Sequence, residues 1–220
     1  YDHPDIYPTR ADYEEAFKQF EGQSKQVIMA EGETEGIKLA GVARRIDAGL
    51  AMRAIKVMDP RADEAEIIRI LNEFPGVGRR FEKIADGVYT DYAHHPEEVA
   101  ATVDIAREEA EKTGRKGVVV VYQPHQNARQ YEVRDGYAKA FMGAEKIYWL
   151  PTYPTRENPR LKMLTPQDLI QRLENKEIAE VAELGDELAE RLRELVEDGY
   201  LVILMTAGTA DQWLRSQFKR

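Results

Sequence analysis

Cysteine is absent from the 220 residues, which excludes disulfides, thiolate metal sites and thiol nucleophiles and fits a reducing compartment. Serine occurs only twice, at Ser24 and Ser216. Neither lies in a G-x-S-x-G turn, so a serine-nucleophile hydrolase is not expected. No apolar run approaches the roughly 18–20 residues that cross a bilayer, so no membrane partner is expected. The phosphate-cradling pattern G-x-x-x-x-G-K-[ST] is missing as well. Positive charge is in deficit, with 31 Lys+Arg against 40 Asp+Glu and a net charge of −9. Such a surface repels a nucleic-acid backbone, and no nucleic-acid partner is expected. The opening Tyr1-Asp2-His3-Pro4 carries neither a basic nor an apolar leader, and together with the missing cysteine this points to a cytoplasmic chain. What remains is an ordinary globular composition, 43% hydrophobic and 32% charged, enough for one large domain or two small ones.

The chain divides into two unequal parts. Residues 1–82 read as a small, mainly helical, partial domain. Helices are expected over 12–21 (Tyr13, Ala16, Phe17 and Phe20 at helical spacing), 39–58 (ended by Asp59-Pro60) and 62–72. Phe74-Pro75-Gly76-Val77-Gly78 then breaks regular structure. Residues 83–220 alternate apolar runs with amphipathic stretches. Strands are expected over 88–90, 117–122, 146–150, 178–181 and 201–205. The helices between and after them fall at 96–112, 131–142, 166–174, 183–197 and 211–218. The run Gly117-Val118-Val119-Val120-Val121-Tyr122 has the β-branched continuity of a strand buried on both faces. Alternation of this kind predicts an α/β fold: a mostly parallel, Rossmann-like sheet with flanking helices.

Ligands of such sheets sit beyond the carboxyl ends of the strands, so the segments 91–96, 123–130, 151–158 and 206–211 carry the functional information. Three of them are rich in polar groups: Asp91-Tyr92-Ala93-His94-His95-Pro96, Gln123-Pro124-His125-Gln126-Asn127-Ala128-Arg129 and Thr152-Tyr153-Pro154-Thr155-Arg156-Glu157-Asn158. Three of the four histidines fall here, joined by Arg129 and Arg156 and preceded by Arg79-Arg80. An acidic protein that gathers Arg and His on one edge is expected to bind an anionic small molecule there. Taken singly, His94 or His125 reads more readily as a loop residue capping a helix or pairing with a surface acid. Zinc is disfavoured, because adjacent histidines do not easily share a tetrahedral site and no cysteine can complete one. Thr206-Ala207-Gly208-Thr209 reads as a tight turn that can also approach a phosphate. No residue stands out as a nucleophile, and none is assigned a catalytic role.

These segments resemble the C-terminal domain of the Mur ligases. The likeness is carried by Asp91-Tyr92-Ala93-His94-His95-Pro96, by Gln123-Pro124-His125 with Arg129, and by Tyr153-Pro154-x-Arg156-Glu157. Upstream, Phe74-x-Gly76-Val77-x-Arg79-Arg80-Phe81-Glu82 is similar to that family's junction between central and C-terminal domains, and Asp2-His3-x-Asp5 to its central-domain D-H-x-D motif. The pattern is nearest the branch that joins L-alanine to UDP-N-acetylmuramate in cell-wall synthesis. The resemblance implies ATP-dependent, ADP-forming amide formation with Mg²⁺, through an acyl phosphate that the amine attacks. It places His3 on the metal and Arg79 and Arg80 near the nucleotide. Tyr92, His94, His125 and Arg129 would hold the sugar nucleotide or the amino acid, with Asp91, His95 and Arg156 completing the binding edge.

Three departures qualify that implication. Where the family has a G-x-H-N-x-x-N-A helix start, this sequence reads Gly41-Val42-Ala43-Arg44-Arg45-Ile46-Asp47-Ala48, without the His and both Asn that contact nucleotide. Gln126 stands where the alanine-adding branch has Arg. The phosphate loop and the N-terminal UDP-binding domain are not found. The expectation is therefore a fragment or shortened homologue that does not turn over alone, its missing domains counting among its partners. Two alternatives stay open: a non-catalytic Mur-like binding module, and the sibling ligase that adds a recycled tripeptide to the same sugar.

Overall fold

The computed structural model describes residues 6–218, and these form two compact units, residues 6–37 with 45–72 and residues 38–44 with 73–218. In the first unit helix α1 (Arg10–Gln23) opens with a capping box in which Thr9 and Asp12 satisfy each other's backbone N–H groups. Helix α2 (Val42–Met58) buries Ala48, Gly49 and Met52, and helix α3 (Glu64–Glu73) buries Ile67. The extended stretch between α1 and α2 carries the short apolar run Val27-Ile28-Met29, and Gly36 there adopts a φ of 86°.

The second unit is a six-stranded sheet in the order β1-β2-β6-β3-β4-β5. Its strands are β1 (Glu82–Ala85), β2 (Val88–Asp91), β3 (Val118–Gln123), β4 (Lys146–Trp149), β5 (Ala179–Val181) and β6 (Leu201–Thr206). All neighbours are parallel except β1, which pairs antiparallel with β2. The expected α/β architecture is thus present. Strand β1 is the element that the apolar pattern does not reveal, because Glu82-Lys83-Ile84-Ala85 is short, polar and only partly buried. Its signal is the Asp86-Gly87 pair, a two-residue hairpin turn in which Gly87 takes φ 74°.

Every residue of β3 and of β6 is buried, as strands covered on both faces must be. Alternate side chains feed two cores. Val118, Val120 and Tyr122 pack on one face with Val99, Val103, Ala106 and Ala110 of α4 (Pro96–Lys112). Leu169 and Ile170 of α6 (Pro166–Ile170) pack on that face too. Val119 and Val121 pack on the other face with Leu188 and Leu192 of α7 (Asp186–Glu197) and Ala210 and Leu214 of α8 (Ala210–Phe218). Each such aliphatic side chain contributes about 1.5–3 kcal/mol of burial.

The helix expected over 131–142 lies earlier and is split. Helix α5 spans Asn127–Val133 and passes into a 3-10 stretch, Arg134–Lys139. Gly136 lies at this crossing, where an added Cβ would stand 3.1 Å from the Pro96 ring. The helix expected over 166–174 stops at Ile170. Because β2, β3, β4 and β6 run parallel, the loops after them emerge along one edge.

Candidate functional site

At the end of β2, Asp91 is buried, and its two carboxylate oxygens accept the backbone N–H groups of Phe81 and Ala93, each at 2.7 Å. Burial raises its carboxyl above the ordinary aspartate range, against the lowering effect of those two hydrogen bonds. Asp91 therefore clips two backbone segments together beneath the edge. It also holds Phe81 at φ 49° and stacked on Tyr89, ring centroids 4.7 Å apart.

Tyr92 follows, with the Arg79 and Arg80 guanidinium carbons 4.6 and 5.5 Å from its ring centroid. The two arginines differ in how they are held. Arg79 Nη2 donates to the carbonyls of Thr206 (2.7 Å) and Gly208 (3.2 Å), which ties it to the turn after β6. Its Nε lies 3.9 Å from Asp211, which accepts from Thr90 Oγ1 and from Arg215 Nε. Arg215 also grips Glu82 with both terminal nitrogens, and Glu82 accepts the Arg79 backbone N–H. Linkage to two carboxylates pushes the Arg215 guanidinium upward. Arg80 projects further, its side chain 55% exposed and 3.9 Å from Glu98. Gly208 allows the turn to close: an added Cβ would stand 2.7 Å from Gln123 Oε1 and from the Tyr153 ring.

The histidines behave differently from one another. His94 Nδ1 lies 3.0 Å from the Tyr92 carbonyl and 3.2 Å from the Glu98 carboxylate, both acceptors, so Nδ1 carries a hydrogen. Glu98 also accepts the backbone N–H groups of His94 and His95, which places His95 at the cap of α4. His125 Nδ1 faces Arg129 Nη1 at 3.4 Å. A guanidinium only donates, so this nitrogen is the acceptor and neutral His125 carries its hydrogen on Nε2. The two imidazoles meet edge-on at 5.7 Å, and His125 stacks on Tyr153 at 5.7 Å. Burial first, then His94, Arg129 and Arg156, pushes His125 down to about 4.

Arg129 is buried on α5, and Gln126 just before that helix is buried too, at φ 63°. The strained Gln126 backbone is held by its N–H donating to the Tyr153 carbonyl at 2.9 Å. Arg156 also takes a positive φ, 47°. Its neighbour Glu157 accepts the N–H groups of Asn127 (2.9 Å) and Thr155 (3.0 Å) and so fastens the third loop to the start of α5. The structure thus gathers Tyr92, Arg79 and Arg80 in one cluster and His94, His125 and Arg129 in another, with Tyr92 and His94 in edge contact at 5.5 Å. His3 lies outside the described residues.

Sequence reasoning did not single out Glu98, Asp211 or Arg215, and it named Glu82 only as the end of the junction motif, without a role. For Glu98 a signal exists: it is the glutamate three residues after the helix cap. For the others only the tertiary pairing reveals them. Among the described residues no group of three or more His, Cys, Asp or Glu is placed to hold a metal ion.

The Mur ligase, glutamate ligase domain model matches residues 79–208. The UDP-N-acetylmuramate–L-alanine ligase of Rickettsia felis is 31% identical over 177 residues, covering 77% of this chain and 34% of that protein. The chain spans about a third of the length of the curated relatives it matches. Among solved structures, UDP-N-acetylmuramate–alanine ligase from Thermotoga maritima superposes with TM-score 0.58 at 22% identity, over 82% of this chain and 38% of that one. A murein peptide ligase from Psychrobacter arcticus gives 0.51 at 17% identity, over 94% and 49%. At these identities the structural likeness establishes the fold.

Proposed function

We propose, for a chain that belongs to the Mur ligase family, that its cationic sheet edge is the C-terminal-domain side of an amide-ligase site taking UDP-N-acetylmuramate and L-alanine. The reading is supported above all by convergence: the segments after β2 and β3 bring Tyr92, His94, His125 and Arg129 to one edge of an otherwise acidic protein. The pair of imidazoles offers complementary chemistry. His94 presents Nε2 as an acceptor, suited to taking a proton from the ammonium of an amino acid. His125 presents Nε2–H as a donor, suited to a carboxylate or acyl oxygen. Arg129 and Arg156 lower the cost of gathering negative charge, and Arg79 and Arg80 flank Tyr92 where a phosphate would be balanced. In the family's reaction ATP supplies the phosphoryl group that activates the lactyl carboxylate. These 220 residues carry no phosphate loop to cradle it, so binding without turnover is expected of the chain as it stands.

Calorimetry with UDP-N-acetylmuramate, beside an ADP-release assay with ATP and L-alanine, tests this. Binding without ADP release supports the proposal, and robust ADP release overturns the expectation of inactivity. Absence of binding leaves the non-catalytic module. A variant of the same reading, in which the incoming amine belongs to a peptide, turns on Gln126. An arginine at that position would add a fixed charge, which Gln126 lacks. Tighter binding of a tripeptide amine than of L-alanine would select this variant.

A further inference from the structure

We infer that Tyr122, Tyr137 and Gln130 are positioning residues for the histidine pair, a buried chain of side chains that starts against the His94 carbonyl and is hydrogen-bonded through to the backbone of His125. What the pair does rests on the ligase reading above; the chain itself rests on geometry. Tyr122 lies on β3, Gln130 on α5 and Tyr137 in the 3-10 stretch, and all three are fully buried. Tyr122 Oη lies 3.1 Å from the His94 carbonyl and 2.7 Å from Tyr137 Oη. Tyr137 Oη lies 2.8 Å from Gln130 Oε1, and Gln130 Nε2 donates to the His125 carbonyl at 3.0 Å. A carbonyl only accepts, so the amide of Gln130 is oriented with its nitrogen toward His125 and its oxygen toward Tyr137.

Proton counting then gives the chain a direction. The two phenols hold two hydrogens, while three contacts ask for one: Tyr122 to His94, Tyr122 to Tyr137, and Tyr137 to Gln130. Sending both hydrogens outward would set two hydroxyl oxygens lone pair to lone pair at 2.7 Å. The chain therefore runs either Tyr122 to Tyr137 to Gln130, or Tyr137 to Tyr122 to the His94 carbonyl. The first uses the contacts of 2.7 and 2.8 Å and leaves only the longest, at 3.1 Å, without a hydrogen. It is the dominant arrangement, and it makes the His125 end the firmly held one. Burial raises both phenols, so neither ionises in the neutral range.

The surroundings argue that the hydroxyls are there for this link. Tyr122 and Tyr137 pack edge-on against Trp149 at 5.0 and 5.3 Å, and Phe141 completes the cluster. Phenylalanine and leucine would fill that volume without burying polar atoms, which are costly unless fully paired. The polar atoms here reach the two carbonyls that carry the pair of imidazoles.

The test uses the whole chain and reads the ring Cε1–H signals of His94 and His125 by NMR, with His95 as internal control. In Tyr137→Phe, which removes the central link, the signals of His94 and His125 should move while those of His95 stay in place. UDP-N-acetylmuramate binding should weaken by about tenfold, and Tyr122→Phe combined with Tyr137→Phe should weaken it no further, as expected for members of one chain. In the parent, both phenolic hydrogens should give slowly exchanging resonances, a measurement that stands even if a variant fails to fold. Unmoved His94 and His125 signals, additive binding losses, or fast exchange of either phenolic hydrogen would each overturn the inference. A parent that does not bind UDP-N-acetylmuramate refutes the ligase reading instead, and the NMR measurements still decide the positioning role.

Discussion

His94 and His125 meet edge-on with ring centroids 5.7 Å apart, and their partners place the hydrogen on opposite ring nitrogens. The Tyr92 carbonyl and Glu98 hold it on Nδ1 of His94, while Arg129 keeps it off Nδ1 of His125. Two adjacent imidazoles of the same tautomer would present two donors or two acceptors to a ligand. Opposite tautomers present one of each, the combination that an amine and a carboxyl oxygen require.

Long-range proton–nitrogen NMR at neutral pH should show His94 as the Nδ1–H form and His125 as the Nε2–H form. In Glu98→Gln, the His94 signals should move and those of His125 should remain. Identical tautomers at the two positions would contradict the donor–acceptor assignment.

His125 links the site to stability. Its folded value of about 4 lies below the ordinary 6.5, so between those pH values the unfolded chain binds the extra proton. His125 therefore opposes folding in acid: its share of stability is complete above about pH 6.5 and is lost as pH falls toward 4. Urea unfolding of His125→Gln across pH 4–7 should show a shallower pH dependence than the parent.

The arginines beside Tyr92 should separate in their effects. Arg80→Ala removes an exposed side chain and should weaken anion binding with stability unchanged within about 0.5 kcal/mol. Arg79→Ala strips a donor from the carbonyls of Thr206 and Gly208 and should cost about 1–3 kcal/mol as well. Melting curves of the two variants, read beside titrations with UDP-N-acetylmuramate, check the contrast.

Gly208→Ala should disturb the site from the far side. Its Cβ would press on Gln123 Oε1 and the Tyr153 ring at 2.7 Å, and Tyr153 is the ring on which His125 stacks. A cost of about 1–3 kcal/mol is expected, with displaced His125 signals. Unchanged melting and unchanged NMR would refute the crowding argument.

The sheet was legible because its strands are continuous apolar runs that need no partner to be recognised: Gly117–Tyr122 and Leu201–Met205 read as buried strands from composition alone. Strand β1 was not, since a polar edge strand is defined by its hairpin partner. The split of α5 also escaped, because the chain's course around Gly136 depends on the Pro96 ring beside it. Within the site, the identities of Tyr92, His94, His125 and Arg129 were visible, and their roles were not.

The sequence by itself determined the alternation of buried strands and amphipathic helices, and thereby which loops share an edge, because burial patterns repeat locally along a chain. It also determined the charge logic of an acidic protein with Arg and His held in those loops. Only the tertiary structure decided that Asp91 is a buried backbone clip, that Arg79 is anchored by carbonyls of β6 and its turn, and that Nδ1 faces acceptors in His94 but a donor in His125. Proton placement and charge pairing depend on partners as much as 133 residues away in the chain, and spacing along a sequence does not encode them.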